Sequence, residues 1–414
     1  MRAISLTLLV LTAPSVAFLS GVPVPRRVPA ARVTMATPEV EIAKAEPFTL
    51  VKEDLRKLKR RIKELVENNV GSSDKTKEGS TNPMLKQAAR EFFERRERAW
   101  RPGVVLLMAR ALDAGITDED GEALMKQRML AEIVEMMSTA QVIHDDVLED
   151  LEASENGNVA HRSYGGPLGN KVSLLAGDFL LARASVELAK LTNVAVVEIM
   201  GVSLENMCRG EIMQAQARVE DKLNTTYYTE TVSLKTASLL AEACKCTALL
   251  RGDGRSSPNA DAAFEFGINL GIAYQISADI VSFNGLVKAH LDGDEEGGAL
   301  TPETMSLLVT ALPPFALAAE LDKTGELSEM AHRSFSEAGD VAAAIAAVEA
   351  AGGVALATEM AEGHITRART AAAMLPDSVF KEGLHVMADY IVEEDQKGLQ
   401  RAEWMDLQQK KAAL

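Results

Sequence analysis

Apolar residues recur at three- and four-residue intervals from residue 47 almost to residue 395, and this periodicity constrains the fold more than any other feature. Leu50, Val51, Leu55, Leu58, Ile62, Leu65 and Val66 mark one such face, the signature of an amphipathic helix. β-Branched clusters alternating with polar residues never persist, so strand signals are missing. The run from Gly71 to Thr81 has loop composition, and Asn82-Pro83 opens the next helix. Helices are predicted over about 84–115, 120–150, 168–192, 196–219, 226–251 and 259–288. The acidic loop Asp292 to Gly298 separates these from helices at about 302–321, 326–337, 339–350, 353–375 and 377–395. The expected fold class is all-α, one bundle in one domain spanning 47–395 and followed by a polar tail, 396–414.

Composition sharpens this picture where charge and cysteine matter. A chain of 414 residues that is 47% hydrophobic can bury a large single core. Cys208, Cys244 and Cys246 are too few for a disulfide framework, and the Cys-x-Cys pair lacks the second pair of a zinc site. A net charge of −16 argues against nucleic acid as a partner. The amino terminus differs from the rest: Arg2, Arg26, Arg27 and Arg32 precede the first acid, Glu39. From Met35 onward the chain carries 40 basic against 60 acidic residues, the four leading arginines being removed from the total of 44. Ile4 to Phe18 form an apolar stretch after Met1-Arg2 that is too short to span a bilayer and has signal-peptide shape. Acid-free, Pro- and Arg-rich sequence follows to Met35. A signal joined to a transit peptide, with Phe18 at the junction, resembles the bipartite plastid-targeting leader of algae with complex plastids. Residues 1–35 are therefore expected to be such a leader and the plastid (chloroplast) its destination; a plain secretory leader is the alternative. No later segment is expected to reach the length of a transmembrane span.

The most informative stretch is Gln141-Val-Ile-His-Asp-Asp-Val-Leu-Glu-Asp150. Asp145, Asp146, Glu149 and Asp150 crowd one helical face, where like charges repel. A cation offsets that cost, and hard oxygen ligands suit magnesium, Mg2+, which completes its shell with water and substrate phosphates. A solvated acidic helix end is the plainer alternative, against which the apolar bracket of Val142, Ile143, Val147 and Leu148 argues.

His144-Asp145-Asp146-Val147-Leu148-Glu149 resembles the first aspartate-rich motif of the trans-isoprenyl diphosphate synthases, the polyprenyl synthetase family. So do Gly169-Asn170-Lys171 through Gly177-Asp178-Phe179 to Ala184, Arg209-Gly210-Glu211-Ile-Met-Gln214, Lys235-Thr236 and Leu270-Gly271-Ile-Ala-Tyr274-Gln275. Leu375-Pro376-Asp377-Ser378 and Ala388-Asp389-Tyr390 resemble the closing helices, and Asn82-Pro83-Met-Leu-Lys-Gln resembles the plastid solanesyl-type branch. The resemblance implies a helical bundle around a central cavity, as a homodimer or a heteromer. It also implies a reaction in which an allylic prenyl diphosphate ionises and isopentenyl diphosphate attacks the cation. Two facing acidic helices then hold Mg2+ around the leaving diphosphate.

Carried over residue by residue, the resemblance makes Asp145, Asp146, Glu149 and Asp279 the metal ligands. Arg98, Arg101, Lys235, Thr236 and Gln275 become substrate-binding residues. Ala140, five residues before Asp145, is the chain-length position, and a small residue there implies a geranylgeranyl or longer product. The sequence also departs from the family pattern. After Gln275 the second acidic motif reads Ala278-Asp279-Ile280-Val281-Ser282, so Ala278 and Ser282 replace two of three acids. The basic motif for isopentenyl diphosphate reads Arg96-Glu97-Arg98-Ala99-Trp100-Arg101-Pro102, with Ala99 in place of an arginine. The arginines expected after the first motif are replaced around Ser154 to Gly157, leaving Arg162 as a stand-in, and Lys288 only approximates a lysine expected after the second. Each change removes positive charge or metal ligands from around two diphosphates. The expectation is a weakly active or non-catalytic subunit paired with an active synthase, the alternative being an autonomous prenyltransferase.

Overall fold

Helix succeeds helix, and no strand occurs among the described residues, as the periodicity predicts. The computed structural model describes residues 46–67, 99–113, 121–155, 167–291, 301–307 and 309–390. The expected leader, the polar tail, the loops at 71–81 and 292–298, Arg98 and Arg162 lie outside the described residues. After a first turn at Pro47–Leu50 the longer helices are α1 (Lys52–Glu67), α2 (Trp100–Leu112), α3 (Glu122–Glu155), α4 (Pro167–Lys190), α5 (Val194–Ala215) and α6 (Thr225–Val232). They continue with α7 (Ser238–Arg251), α8 (Pro258–Leu291), α9 (Pro313–Leu321), α10 (Glu326–His332), α11 (Asp340–Ala350), α12 (Gly353–Ala373) and α13 (379–390).

Local chemistry sets the ends. Asn193 caps α5 by accepting from the Val196 amide, and Asn224 caps α6 by accepting from the amides of Thr226 and Tyr227. Gly252, at φ 113°, closes α7 in the left-handed conformation that glycine tolerates. Three expected helices are shorter than their periodicity implies. The run 302–321 breaks into Pro302–Leu307, a 3₁₀ turn at Val309–Ala311 and α9, because Pro313 and Pro314 donate no amide hydrogen and cannot continue a helix. The run 326–337 stops at His332, where Ser334 and Phe335 turn left-handed at φ 54° and 52°. The strain at Phe335 is offset by its complete burial against Phe315, ring centroids 6.1 Å apart. Likewise α5 ends at Ala215, and Val219–Lys222 forms a separate turn.

The core is layered around α2, α3, α7 and α8. Helix α2 is apolar on all sides and correspondingly buried from Pro102 to Ala109. Helix α8 packs between α7 and α12, while α3 packs on α4 and α2. Leu107, Leu130, Met136, Leu180, Leu240 and Phe266 are fully buried in this main cluster. A second cluster joins Phe283, Phe315, Met330, Phe335 and Ile345, and a third holds Val232, Ala237, Ile272, Ile276, Ile280 and Ala357. One sequence expectation needs correcting: Pro258–Lys288 within α8 is long and apolar enough to cross a membrane. Half of its most apolar window is buried inside the bundle, which accounts for that apolarity without a bilayer.

The α8–α12 seam carries a buried polar bridge. His364 Nδ1 donates to Asn269 Oδ1 at 2.9 Å, Arg367 Nε donates to the same oxygen at 3.0 Å, and Asn269 returns a bond to the Glu265 carbonyl. Burial, reinforced by the Arg367 charge, pushes His364 down to about 4. The unfolded chain binds this proton near pH 6.5 while the folded chain does not, so stability falls as pH drops from about 6.5 towards 4. The expected loss is about 3 kcal/mol at pH 4 relative to pH 7. Urea unfolding across that range, compared with His364→Gln, isolates the contribution; parallel pH profiles for the two proteins would rule it out.

Candidate functional site

The chain between α6 and α7 does not run as one continuous α-helix. Ser233–Ala237 forms a single wide π turn, a device that frequently marks functional sites, and it presents Lys235 and Thr236 in succession. Three elements fix this turn. Gly210 of α5 lies so close that an added Cβ would stand 2.4 Å from the Lys235 amide nitrogen. From α3, Gln141 Nε2 donates to the Lys235 carbonyl at 3.1 Å. From α8, Gly271 meets Ala237 closely enough that a Cβ there would lie 2.7 Å from the Ala237 Cα.

Lys235 Nζ lies 2.7 Å from Glu211 Oε2, 3.1 Å from Gln214 Oε1 and 3.9 Å from Asp145 Oδ2. All three ionised groups are only partly exposed, so these pairs are screened less than pairs in free solution. One residue on, Thr236 Oγ1 donates to Gln275 Oε1 at 3.0 Å. Gln275 Nε2 donates to Asp279 Oδ1 at 2.8 Å, and Tyr228 Oη donates to Asp279 Oδ2 at 2.6 Å. Burial raises Asp279 to about 6, against the lowering effect of these two donors and of Lys235. The Tyr228 hydroxyl is pushed well above its usual value by burial and by the adjoining carboxylate.

Five residues singled out in the sequence thus fall into one continuous network: Asp145, Lys235, Thr236, Gln275 and Asp279. Asp146 and Glu149 follow Asp145 on α3, but their side chains lie outside the described residues. Ser282 Oγ donates back to the Ala278 carbonyl of its own helix at 3.1 Å. Arg101 stacks on aromatic faces, its Cζ 4.7 Å from the Trp100 ring centroid and 5.3 Å from that of Tyr274, the neighbour of Gln275. Ala140 is fully buried in the main core one turn before His144. Glu211 and Gln214 belong to the Arg209–Gln214 motif, which by itself assigns them no role. Their i, i+3 spacing beside Gly210 was the available signal. Gln141 and Tyr228 gave none, since their partners are distant in sequence.

Among the described residues no three acidic, histidine or cysteine side chains cluster as a metal would require. Of the three positions on α8 where acids are expected, Asp279 alone carries a carboxylate; each of its oxygens accepts one protein hydrogen bond, at 2.8 and 2.6 Å, and keeps a lone pair for a cation.

An all-helical bundle with carboxylates, a lysine and amides gathered between central helices defines the class. The chain belongs to the polyprenyl synthetase family, which it matches over residues 82–348. It is 33% identical over 344 residues to the mitochondrial solanesyl-diphosphate synthase 1 of Oryza sativa, covering 80% of this chain and 74% of that protein. With the chloroplastic solanesyl-diphosphate synthase 2 of the same plant it shares 32% over 386 residues, 91% of this chain and 86% of the other. It is also similar to the apo structure of an Arabidopsis medium/long-chain prenyl pyrophosphate synthase (29% identity, TM-score 0.60, 84% of this chain and 99% of that one). A polyprenyl synthase of Caulobacter crescentus solved with calcium and isoprenyl diphosphate shares the fold at 22% identity and TM-score 0.61, over 84% and 97% of the two chains.

Proposed function

We propose that this chain is a plastid subunit of the medium- to long-chain polyprenyl diphosphate synthase branch, with weak or no activity of its own, that pairs with an active prenyl synthase. The observation that carries this reading is the state of α8. Where three acids are expected, Ala278 and Ser282 contribute none, and the remaining Asp279 is held by Tyr228 and Gln275. With Lys235 drawn to Glu211 and Asp145, the described network is acidic, and a diphosphate enters such a place only behind added cations. Asp145, Asp146, Glu149 and Asp279 are the proposed Mg2+ ligands. Arg98, Arg101, Lys235, Thr236 and Gln275 are proposed to face the two diphosphate substrates, and the small Ala140 to leave room for a long chain. Mg2+, when bound, supplies charge for the departing diphosphate.

Pairing is supported by exposed Leu174 and Leu175 on α4 and by Val194, Val197, Val202 and Ile212 on α5, apolar groups that a partner would cover. The plastid destination rests on the leader and on the chloroplastic relative; entry of a fluorescent fusion of residues 1–40 into mitochondria would overturn it. The autonomous prenyltransferase is favoured by one observation, the apposition of Asp145 and Lys235 across α3 and the π turn. The deciding assay uses the chain from Met35 with Mg2+, isopentenyl diphosphate and either farnesyl or geranylgeranyl diphosphate, with labelled products resolved by length. The expected result is little or no product alone, and activity or altered chain length once an active family member is added. Long-chain product from the chain alone, lost in Asp145→Ala, would sink the subunit reading.

A further inference from the structure

Helix α1 contradicts the charge of the protein that carries it. Its 16 residues hold seven cations, Lys52, Arg56, Lys57, Lys59, Arg60, Arg61 and Lys63, against four acids, in a chain of net charge −16. Helical periodicity sorts them completely. Asp54, Leu58, Ile62, Leu65 and Val66 face inward and are buried, whereas all seven cations are exposed. The one inward acid cannot neutralise the outer face, because Asp54 is occupied by Arg110 at 3.1 Å and Arg128 at 2.9 Å from the core. The exposed acids Glu53 and Glu64 sit 3.7 Å from Arg56 and Arg61, pairs of little strength at that exposure. Lys52, Lys57, Lys59 and Arg60 form no ion pair among the described residues. Beside them opens a cleft of about 360 Å³ lined by the half-buried Phe48 and Leu55 and by the exposed cations Lys52, Arg56 and Lys59, against one exposed acid, Glu46.

We infer that the outer face of α1 is a docking surface for an anionic phospholipid membrane. A free-standing row of cations on an otherwise acidic protein is attracted to a polyanionic surface and orients the protein so that α1 meets it first. Three cations against one acid around the apolar Phe48 and Leu55 fit an amphiphile, with its anionic headgroup against the cations and hydrocarbon against the rings and methyls. An acidic peptide satisfies only the charge. The inference does not depend on whether the site turns over.

The test is vesicle co-sedimentation of the chain from Met35, which retains the whole compact unit from Ala43 onward in which every described helix lies. Vesicles of phosphatidylcholine with and without about one third phosphatidylglycerol are compared at low salt. Binding to the anionic vesicles alone is expected, with release in about 0.5 M salt. The triple variant Lys57→Gln, Lys59→Gln, Arg60→Gln, all exposed positions, should fold as the wild type does and partition about a hundredfold more weakly. Absence of binding, equal binding to neutral vesicles, or undiminished binding by the triple variant would each overturn the inference. Displacement from vesicles by poly-glutamate at equal charge would also overturn it, in favour of an acidic protein partner.

Discussion

The double variant Ala278→Asp, Ser282→Asp is expected to raise Mg2+-dependent prenyl transfer by the isolated chain about a hundredfold or more. Positions 278, 279 and 282 fall at i, i+1 and i+4 on α8, the spacing of Asp145, Asp146 and Glu149 on α3, so the new acids share one face with Asp279. Space exists, since Ala278 is only half-buried and Ser282 is exposed with its hydroxyl turned back on its own helix. A single preorganised charge-stabilising group in such a site is worth roughly 10²–10³ in rate. Three carboxylates would also hold a cation far better than Asp279 alone, whose oxygens now accept from a hydroxyl and an amide at 2.6 and 2.8 Å. Without metal the variant should be less stable than wild type, because like charges at i, i+4 repel. Mg2+ should then restore its melting temperature while leaving that of the wild type nearly unchanged. Equal Mg2+ responses and equal turnover in the two proteins would mean that α8 was never the deficient element, and the autonomous reading would take over.

What could be read from the sequence was whatever is local or carried by motif. The 3.6-residue period predicts α4 and α8 to within about three residues at each end and α3 to within about five, since each is amphipathic or wholly apolar and a helix is the way to bury such a pattern; it overruns the end of α5 and reads α6 and α7 as one helix. It fails at 302–321 because apolar spacing there continues across Pro313-Pro314, where the missing amide hydrogens decide the outcome. It fails again beyond His332 because burial of Phe335 against Phe315 outweighs the positive φ that the residue must adopt. Lys235, Thr236, Gln275, Asp145 and Asp279 were identifiable as a set by resemblance, but not their mutual connection. The π turn is invisible in the continuous pattern from Thr225 to Arg251, because the added width comes from α5 and α8 pressing on that segment through glycines. Tyr228 hydrogen-bonds a residue 51 positions away, and Gln141 one 94 positions away, distances at which no periodicity operates.

That glycine contact leads to the other large effect: one substitution made twice on one helix should have opposite signs. Gly201 and Gly210 both lie within α5, where alanine is intrinsically better than glycine by roughly 0.5–1 kcal/mol. Around Gly201 nothing stands within 4 Å of an added Cβ, so Gly201→Ala should stabilise by about that amount. At Gly210 the same methyl group would meet the Lys235 backbone at 2.4 Å to nitrogen and 2.8 Å to Cα, atoms that cannot rotate away. Either α5 or the π turn must move, and overpacking of this kind typically costs about 1–3 kcal/mol, or more against a rigid neighbour. A net loss of about 3 kcal/mol is expected for Gly210→Ala, read as a lower midpoint in urea. The displacement also falls on the chemistry. Glu211 is the next residue and holds Lys235 at 2.7 Å, so moving the turn loosens the lysine from Glu211 and Asp145 together. Pyrophosphate binding with Mg2+, followed by calorimetry under conditions where both variants remain folded, should therefore change in Gly210→Ala and not in Gly201→Ala. Two variants of equal stability and equal ligand response would show that the close approach of α5 to the π turn does not hold Lys235 in place.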